Sequence, residues 1–271
     1  MIPKVIHQIW IGDKVKPQEC MDSVKRDNPN YEYKLWTEKE LKTLKMSKKY
    51  QLKIKCMEEL CGKADMYRYL ILQQHGGICI DADSISIEPL EDFMFNKPCV
   101  AWENEIVRQG LLALGFIGFP PNHKIIDEII EHIETNKIES PAWVHTGNMV
   151  LTKIMEKQEF KKDEINAFPS YFFFPDHHTG HKYKGHAKVY MTQLWGSTHD
   201  KYDSKIDITL PSHLLEPKHS ITICIPEGTS KSKIKEIISG IKNMHGHYNI
   251  EIKCEEDIIP LLKGTRFISQ I

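Results

Sequence analysis

Between Gly62 and Glu88 the chain reads GKADMYRYLILQQHGGICIDADSISIE, and this stretch leaves little freedom to the fold around it. Ala64, Tyr67, Leu70, Ile71 and Gln74 recur at three- and four-residue intervals, which predicts a helix with one face on a core. Asp65 and Arg68 stand one turn apart on it. Gly76-Gly77 ends the helix, because glycine accepts the positive φ that a C-cap commonly demands. Ile78-Cys79-Ile80 follows as a short apolar strand and runs directly into Asp81-Ala82-Asp83. Residues two apart in an extended chain point the same way. Both carboxylates are therefore expected at one spot beyond a buried strand, where open α/β sheets receive ligands.

Two carboxylates gathered there repel each other and lose hydration unless a cation compensates them. A hard divalent ion such as Mg²⁺ or Mn²⁺, brought in with a diphosphate, meets that need through oxygen ligands. For the bare tripeptide, a solvated Asp-x-Asp turn is the plainer reading. The ordered run of helix, Asp65, Arg68, Gly-Gly and strand favours a site.

That run fits the pattern A-D-x-x-R-x-x-x-L followed by G-G-x-x-x-D-x-D, filled here by Ala64, Asp65, Arg68, Leu72, Gly76, Gly77, Asp81 and Asp83. It resembles the DxD-containing sugar transferases of glycosyltransferase family 32, and the catalytic domains of large glucosylating bacterial toxins look similar. The resemblance covers roughly residues 2–200. It implies an α/β fold of GT-A type, Rossmann-like with a mixed central sheet. It also implies a nucleotide-sugar donor, a Mn²⁺ or Mg²⁺ ion and retention at the anomeric carbon. Asp65, Arg68, Asp81 and Asp83 would then be the catalytic group, with the metal at Asp83 and Asp81 assisting it or holding the ribose.

In such relatives the first strand ends in H-x-x-W-x-G, matched by His7, Trp10 and Gly12, and its tryptophan stacks on the donor base. The resemblance thus puts Ile9 and Trp10 on the donor; a plain core tryptophan is the competing reading. His7 is expected to be a packed, hydrogen-bonded core histidine. Thr146-Gly147-Asn148 resembles a T-G-P segment, with Asn148 replacing the proline. It opens a helix beside the donor sugar or is only a capping turn. Residues 189–199, VYMTQLWGSTH, resemble a closing H-x-W-x-x-S-W segment: Gln193 stands at the histidine, Trp195 is retained, and Ser197 or Thr198 supplies the hydroxyl. The third metal ligand stays open between Gln193, His199 and water. Donor binding is accordingly expected from Ile9, Trp10, Asp65, Arg68, Asp81, Gly147, Asn148, Trp195 and Ser197, and metal binding from Asp81, Asp83, Gln193 and His199.

Elsewhere Lys4–Trp10 and Tyr31–Trp36 read as strands, Asp22–Asp27 as a short helix, and Thr37 with Glu40 as a capping box. Ile85 and Ile87 continue a strand beyond Asp83; Cys99–Glu103 and Leu112–Phe119 are two more. An amphipathic helix follows Pro120-Pro121-Asn122 to about Asn136. Tyr171-Phe172-Phe173-Phe174 reads as a buried strand before a loop with His177, His178, His181 and His186. Zinc binding and a polar surface loop compete there, with the loop favoured because no cysteine or helical spacing supports zinc. From His219 a strand–helix–strand texture begins, so residues 1–218 are expected to be the transferase domain and 219–271 an α/β appendage or the start of a second domain.

Composition narrows the partners. The 271 residues carry 36 Lys+Arg against 37 Asp+Glu, so no global field attracts nucleic acid or an anionic membrane. No apolar run reaches the length of a membrane span, and seven scattered cysteines fit reduced thiols, which points to a cytoplasmic protein. The expected partners are a nucleotide sugar, a UDP-sugar before GDP-mannose, and a glycan or protein acceptor. Two other readings stand beside this one. A haloacid-dehalogenase-type phosphotransferase also places DxD after an apolar strand, although Ile85 fits its pattern only partly. A non-catalytic carbohydrate-binding relative is the third.

Overall fold

Strand β1 (Val5–Ile9) lies between β2 (Glu32–Trp36) and β3 (Gly77–Ile80), both parallel to it, as their strand–helix–strand spacing predicts. Helix α1 (Gln18–Asp27) makes the first crossover, and α2 (Glu38–Leu41), α3 (Lys48–Cys56) and α4 (Leu60–His75) make the second. The structure is a computed structural model describing residues 1–157, 164–185, 187–199, 202, 214, 220–225, 229–230, 232–237 and 249–253. Beyond β3 the sheet changes direction. Strand β6 (Arg108–Phe119) runs antiparallel to β3, β5 (Cys99–Asn104) antiparallel to β6, and β7 (Asn166–Phe168) parallel to β5. The order is β2-β1-β3-β6-β5-β7, the mixed central sheet of an α/β domain that was expected.

Both faces of β3 are covered, so its side chains are apolar throughout rather than alternating. Ile78 and Ile80 enter one core cluster and Cys79 the other. Helix α4 is buried around most of its circumference: Met66, Arg68, Tyr69, Leu70, Ile71 and Leu72 are all inside, while Ala64 and Tyr67 are only half-buried. The stripe expected from periodicity is thus too narrow, since α5 (Lys124–Thr135) and α6 (Ala142–His145) cover further sides. Helix α5 stays amphipathic, burying Ile125, Ile126, Ile129, Ile130 and Ile133.

At the end of α4, Gly76 is the C-cap with φ +63° and Gly77 follows with φ +100°. A Cβ on Gly77 would lie 2.7 Å from His7 Nε2, which bonds the Gly76 carbonyl oxygen at 2.8 Å. Trp36 Nε1–H donates to His7 Nδ1 at 3.0 Å. His7 is therefore the packed core histidine that was expected. The Thr37–Glu40 capping box is also formed.

Two expectations change. The strand after Asp83 exists as β4 (Ser84–Ser86), yet it leaves the central sheet and pairs antiparallel with β8 (Met191–Gln193). The aromatic run is buried as a 3₁₀ turn, Ser170–Phe172, not as a strand. The amides of Phe173 and Phe174 donate back to Ser170 O, at 3.0 and 2.7 Å, so the backbone satisfies itself locally.

The chain forms two compact units: Met1–Lys182 with Tyr190–Ile208, and Tyr183–Val189 with Thr209–Ile271. In the second, β9 (Ser220–Cys224) and β10 (Asn249–Lys253) pair in parallel, and residues 232–237 between them are helical. No helix among the described residues is long and apolar enough to cross a membrane.

Candidate active site

Because β3 stops at Ile80 opposite Phe116, the edge of β6 beyond that point lacks a partner strand. Side chains take its place. Arg68 Nη1 donates to Leu114 O at 2.6 Å, and Asn148 Oδ1 accepts from Leu114 N–H at 2.9 Å. Asp81 N–H still reaches Gly115 O at 3.1 Å. The chain then turns sharply, with Ser84 N–H donating to Asp81 O at 3.2 Å, and Gln8 Nε2 donates to the same carbonyl at 2.8 Å. The two aspartates of the motif are therefore brought together by a tight turn rather than by the alternation of an extended strand.

Arg68 is 5 % exposed. Its Nη2 pairs with Asp81 Oδ1, its Nη1 lies 3.7 Å from Asp65 Oδ1, and its Nε is buried with no hydrogen-bond partner among the described residues. Planar guanidinium can serve a carbonyl and two carboxylates at once because its donors splay in a fixed fork. Asp65 is walled by Gly147, where a Cβ would sit 2.9 Å from Asp65 Oδ2; any larger residue would push into that carboxylate. Burial raises Asp65 to about 7; Arg68 opposes the shift and Asp81 adds to it.

Asp83 is 4 % exposed and surrounded by donors. Gly196 N–H reaches Oδ2 at 2.7 Å, Gln193 Nε2 reaches Oδ1 at 2.6 Å, and the Tyr202 hydroxyl bonds the same carboxylate. Burial, with Asp81 second, raises Asp83 to about 6. The β4–β8 pairing is what delivers this late segment, since it sets Ser84 opposite Gln193, and Ser84 Oγ–H fixes Gln193 Oε1 at 2.7 Å. Gln193 Nε2 also lies 3.2 Å from Asp81 Oδ2, so one amide nitrogen bridges both carboxylates.

The remaining expected residues divide. Gln193 meets the aspartates, whereas His199 is exposed and its backbone N–H donates to Trp195 O at 3.0 Å; Ser197 is exposed on the same turn. Trp195 adopts φ +54° and its indole N–H donates to Asp176 O at 2.8 Å. Helix α7 (Asn148–Lys157) begins at Asn148, as the Thr146-Gly147-Asn148 segment suggested. Ile9 is buried at the end of β1, and half-buried Trp10 follows it, its ring edge-on to Tyr202 at 5.0 Å. Tyr202, with Asp13, Lys14, Val15 and Leu60, lines an open cleft of about 390 Å³.

Sequence reasoning missed four participants. Gln8 was hidden in an apolar strand, Gly115 in another, although a Cβ there would lie 2.7 Å from Asp81 Oδ2. Tyr202 lies past the last motif and has no local signature. Glu103, 5 % exposed at the end of β5, bonds Asn148 Nδ2 and His177 Nε2, which follow it in sequence by 45 and 74 residues.

Residues 14–104, which include Asp65 through Asp83, match the family described as "Glycosyltransferase sugar-binding region containing DXD motif". The chain is 30 % identical over 148 residues to a protein described as an uncharacterized glycosyltransferase from Acanthamoeba polyphaga mimivirus, covering 49 % of this chain and 56 % of that one. It is 26 % identical over 230 residues to inositol phosphoceramide mannosyltransferase 2 of Schizosaccharomyces pombe, covering 79 % and 63 %. The chain thus spans less than two thirds of these relatives' length. Among solved structures, a PaToxG glycosyltransferase superposes with a TM-score of 0.46 at 20 % identity, over 58 % of this chain and 70 % of that one.

Proposed function

We propose that the chain is a metal-dependent, retaining glycosyltransferase that moves a hexose from a nucleoside-diphosphate sugar to a glycan or protein acceptor. One observation carries this reading. Asp81 Oδ2 and Asp83 Oδ1, both within the region that matches the DXD family, converge on a single amide nitrogen of Gln193. The donor is a UDP-sugar on the reading of the sequence, and the mannosyltransferases among the relatives make GDP-mannose its competitor.

The residues present fit a hard divalent ion. Asp81 and Asp83 offer carboxylate oxygens, and Gln193 Nε2 now stands between them with a partial positive charge where a full one would bind better. Bound there, Mn²⁺ or Mg²⁺ would supply electrostatic neutralisation of the leaving diphosphate. Arg68 holds Asp81 in place, and its Nε, a buried donor with no partner among the described residues, is left for an oxygen of the donor substrate. In its ionised form Asp65 accepts from a sugar hydroxyl. Trp10 packs edge-on to Tyr202, which lines the cleft with Asp13, Lys14, Val15 and Leu60, and this aromatic pair is suited to a base. Glu103 is already engaged by Asn148, His177 and, at 3.8 Å, Arg108, which disfavours it as a covalent nucleophile and favours front-side displacement.

The test is donor hydrolysis across UDP-glucose, UDP-galactose, UDP-N-acetylglucosamine and GDP-mannose, with Mn²⁺ or with chelator. We expect turnover of one donor class only in the presence of the ion, and loss of it in Asp83→Asn. Turnover unaffected by chelator, or retained by Asp83→Asn, would remove the metal assignment.

A further inference from the structure

We propose that Glu103, His177 and His178 form a second metal site, suited to a zinc-class divalent ion and separate from the Asp81–Asp83 pair. One ligand atom from each lies within 4.8 Å of the other two. His177 Nε2 and Glu103 Oε1 are 3.1 Å apart. Ligands about 2.0–2.1 Å from a tetrahedral ion stand roughly 3.3 Å from one another, so this edge is near that length and small side-chain shifts would bring the third ligand in. Two imidazoles and one carboxylate are a borderline donor set, unlike the all-oxygen set of the aspartate pair.

An ordinary buried ion pair explains His177 and Glu103 but leaves His178 unexplained. Its ring lies 4.2 Å from that of His177, so two protonated rings would repel. Outer contacts are in place as well. His177 Nδ1 is 2.8 Å from Thr179 Oγ1, and Glu103 Oε2 accepts from Asn148 Nδ2, which leaves Oε1 directed at His177. Trp195 packs against both imidazoles, with ring centroids 5.2 and 5.0 Å away, and His177 is buried. The competing cation is Arg108, whose Nε is 3.8 Å from Glu103 Oε1. That side chain is 41 % exposed, and its guanidinium already lies 5.7 Å from the Trp143 ring, which offers it an alternative resting place. An ion here would tie β5 to the loop whose Asp176 carbonyl holds the Trp195 indole.

The experiment is a Co²⁺ titration of the full chain after chelator treatment, read by visible ligand-field absorption and followed by displacement with Zn²⁺. We expect one Co²⁺ band in the wild type, retained in Asp83→Asn and lost in Glu103→Gln and in His178→Ala. Thr179→Val should keep the band with about 10–100-fold weaker affinity. Circular dichroism checks that each variant is folded. His178 is half-buried on a loop, and if His178→Ala is unfolded, the Thr179→Val affinity decides in its place. A folded wild type without a band overturns the site, as does a band that disappears in Asp83→Asn or persists at full affinity in His178→Ala. The Asp83→Asn arm separates failure of this site from failure of the transferase reading.

Discussion

Replacing Asp65 by asparagine should stabilise the metal-free protein at neutral and alkaline pH while damaging donor turnover. Burial raises Asp65 from its ordinary value of 3.8 to about 7, so the folded state holds a proton that the unfolded chain releases. The sign follows from that difference. The group's contribution is fully present below about pH 4 and is lost as pH rises to 7, because folding must then leave a charge in a poorly hydrated place. A rise from 3.8 to about 7 corresponds to roughly 4 kcal/mol. With 16 % of the side chain accessible, water damps the figure, and we expect about 2–4 kcal/mol. Asparagine has nearly the same shape and no charge. Urea unfolding in chelator at pH 4 and pH 8 measures the effect. The two proteins should agree within about 1 kcal/mol at pH 4, with the variant ahead by about 2–4 kcal/mol at pH 8. Asp83, raised to about 6, titrates in both proteins and cancels in the difference. Donor turnover should meanwhile fall by about 10–100-fold, the loss of one charged hydrogen bond to the sugar. Parallel stability curves, or a variant less stable at pH 8, would refute the reasoning, since Arg68 would then outweigh burial.

Two further outcomes follow from the same geometry. Arg68→Lys should be nearly as damaging to kcat/KM as Arg68→Ala, because a shorter side chain ending in a point charge lacks the splayed fork that spans Leu114 O, Asp81 and Asp65; recovery of most activity by lysine would mean that charge alone is needed. Trp10→Ala should weaken nucleotide binding by about 1–3 kcal/mol in calorimetry, as lost base stacking would. Its melting temperature should change little, since Trp10 is only half-buried; a fall equivalent to about 3–5 kcal/mol would make it a core residue.

What could be read from the sequence was local. Gly76-Gly77 signals a helix end because few other residues accept φ +63° and +100° in succession, and the Thr37–Glu40 box signals a helix start for a similar reason. Asp65 and Arg68 face one site because three residues make nearly one helical turn. The parts that escaped depend on distant chain segments. Nothing near Ser84 announces that β4 will leave the sheet, because its partner Gln193 lies 109 residues away. Phe172–Phe174 are apolar enough for a strand, and only the local hydrogen bonds to Ser170 make them a turn. Glu103 looked like the polar end of a strand until His177 and Asn148 arrived beside it.

The β4–β8 pairing has a kinetic consequence. The bonds that complete the site, from Ser84 to Gln193 and from Asp83 to Gln193 and Gly196, span 109, 110 and 113 residues. Contacts at such separation form more slowly than local ones, whereas β1 meets β2 with Val5 opposite Glu32, a far shorter connection. The β1–β2 pairing is therefore expected to precede the docking of Met191–Gln193 on β4, with Asp81 already within reach of Arg68. The contacts that Gln193 and Gly196 make with Asp83 are therefore expected among the later ones this chain forms.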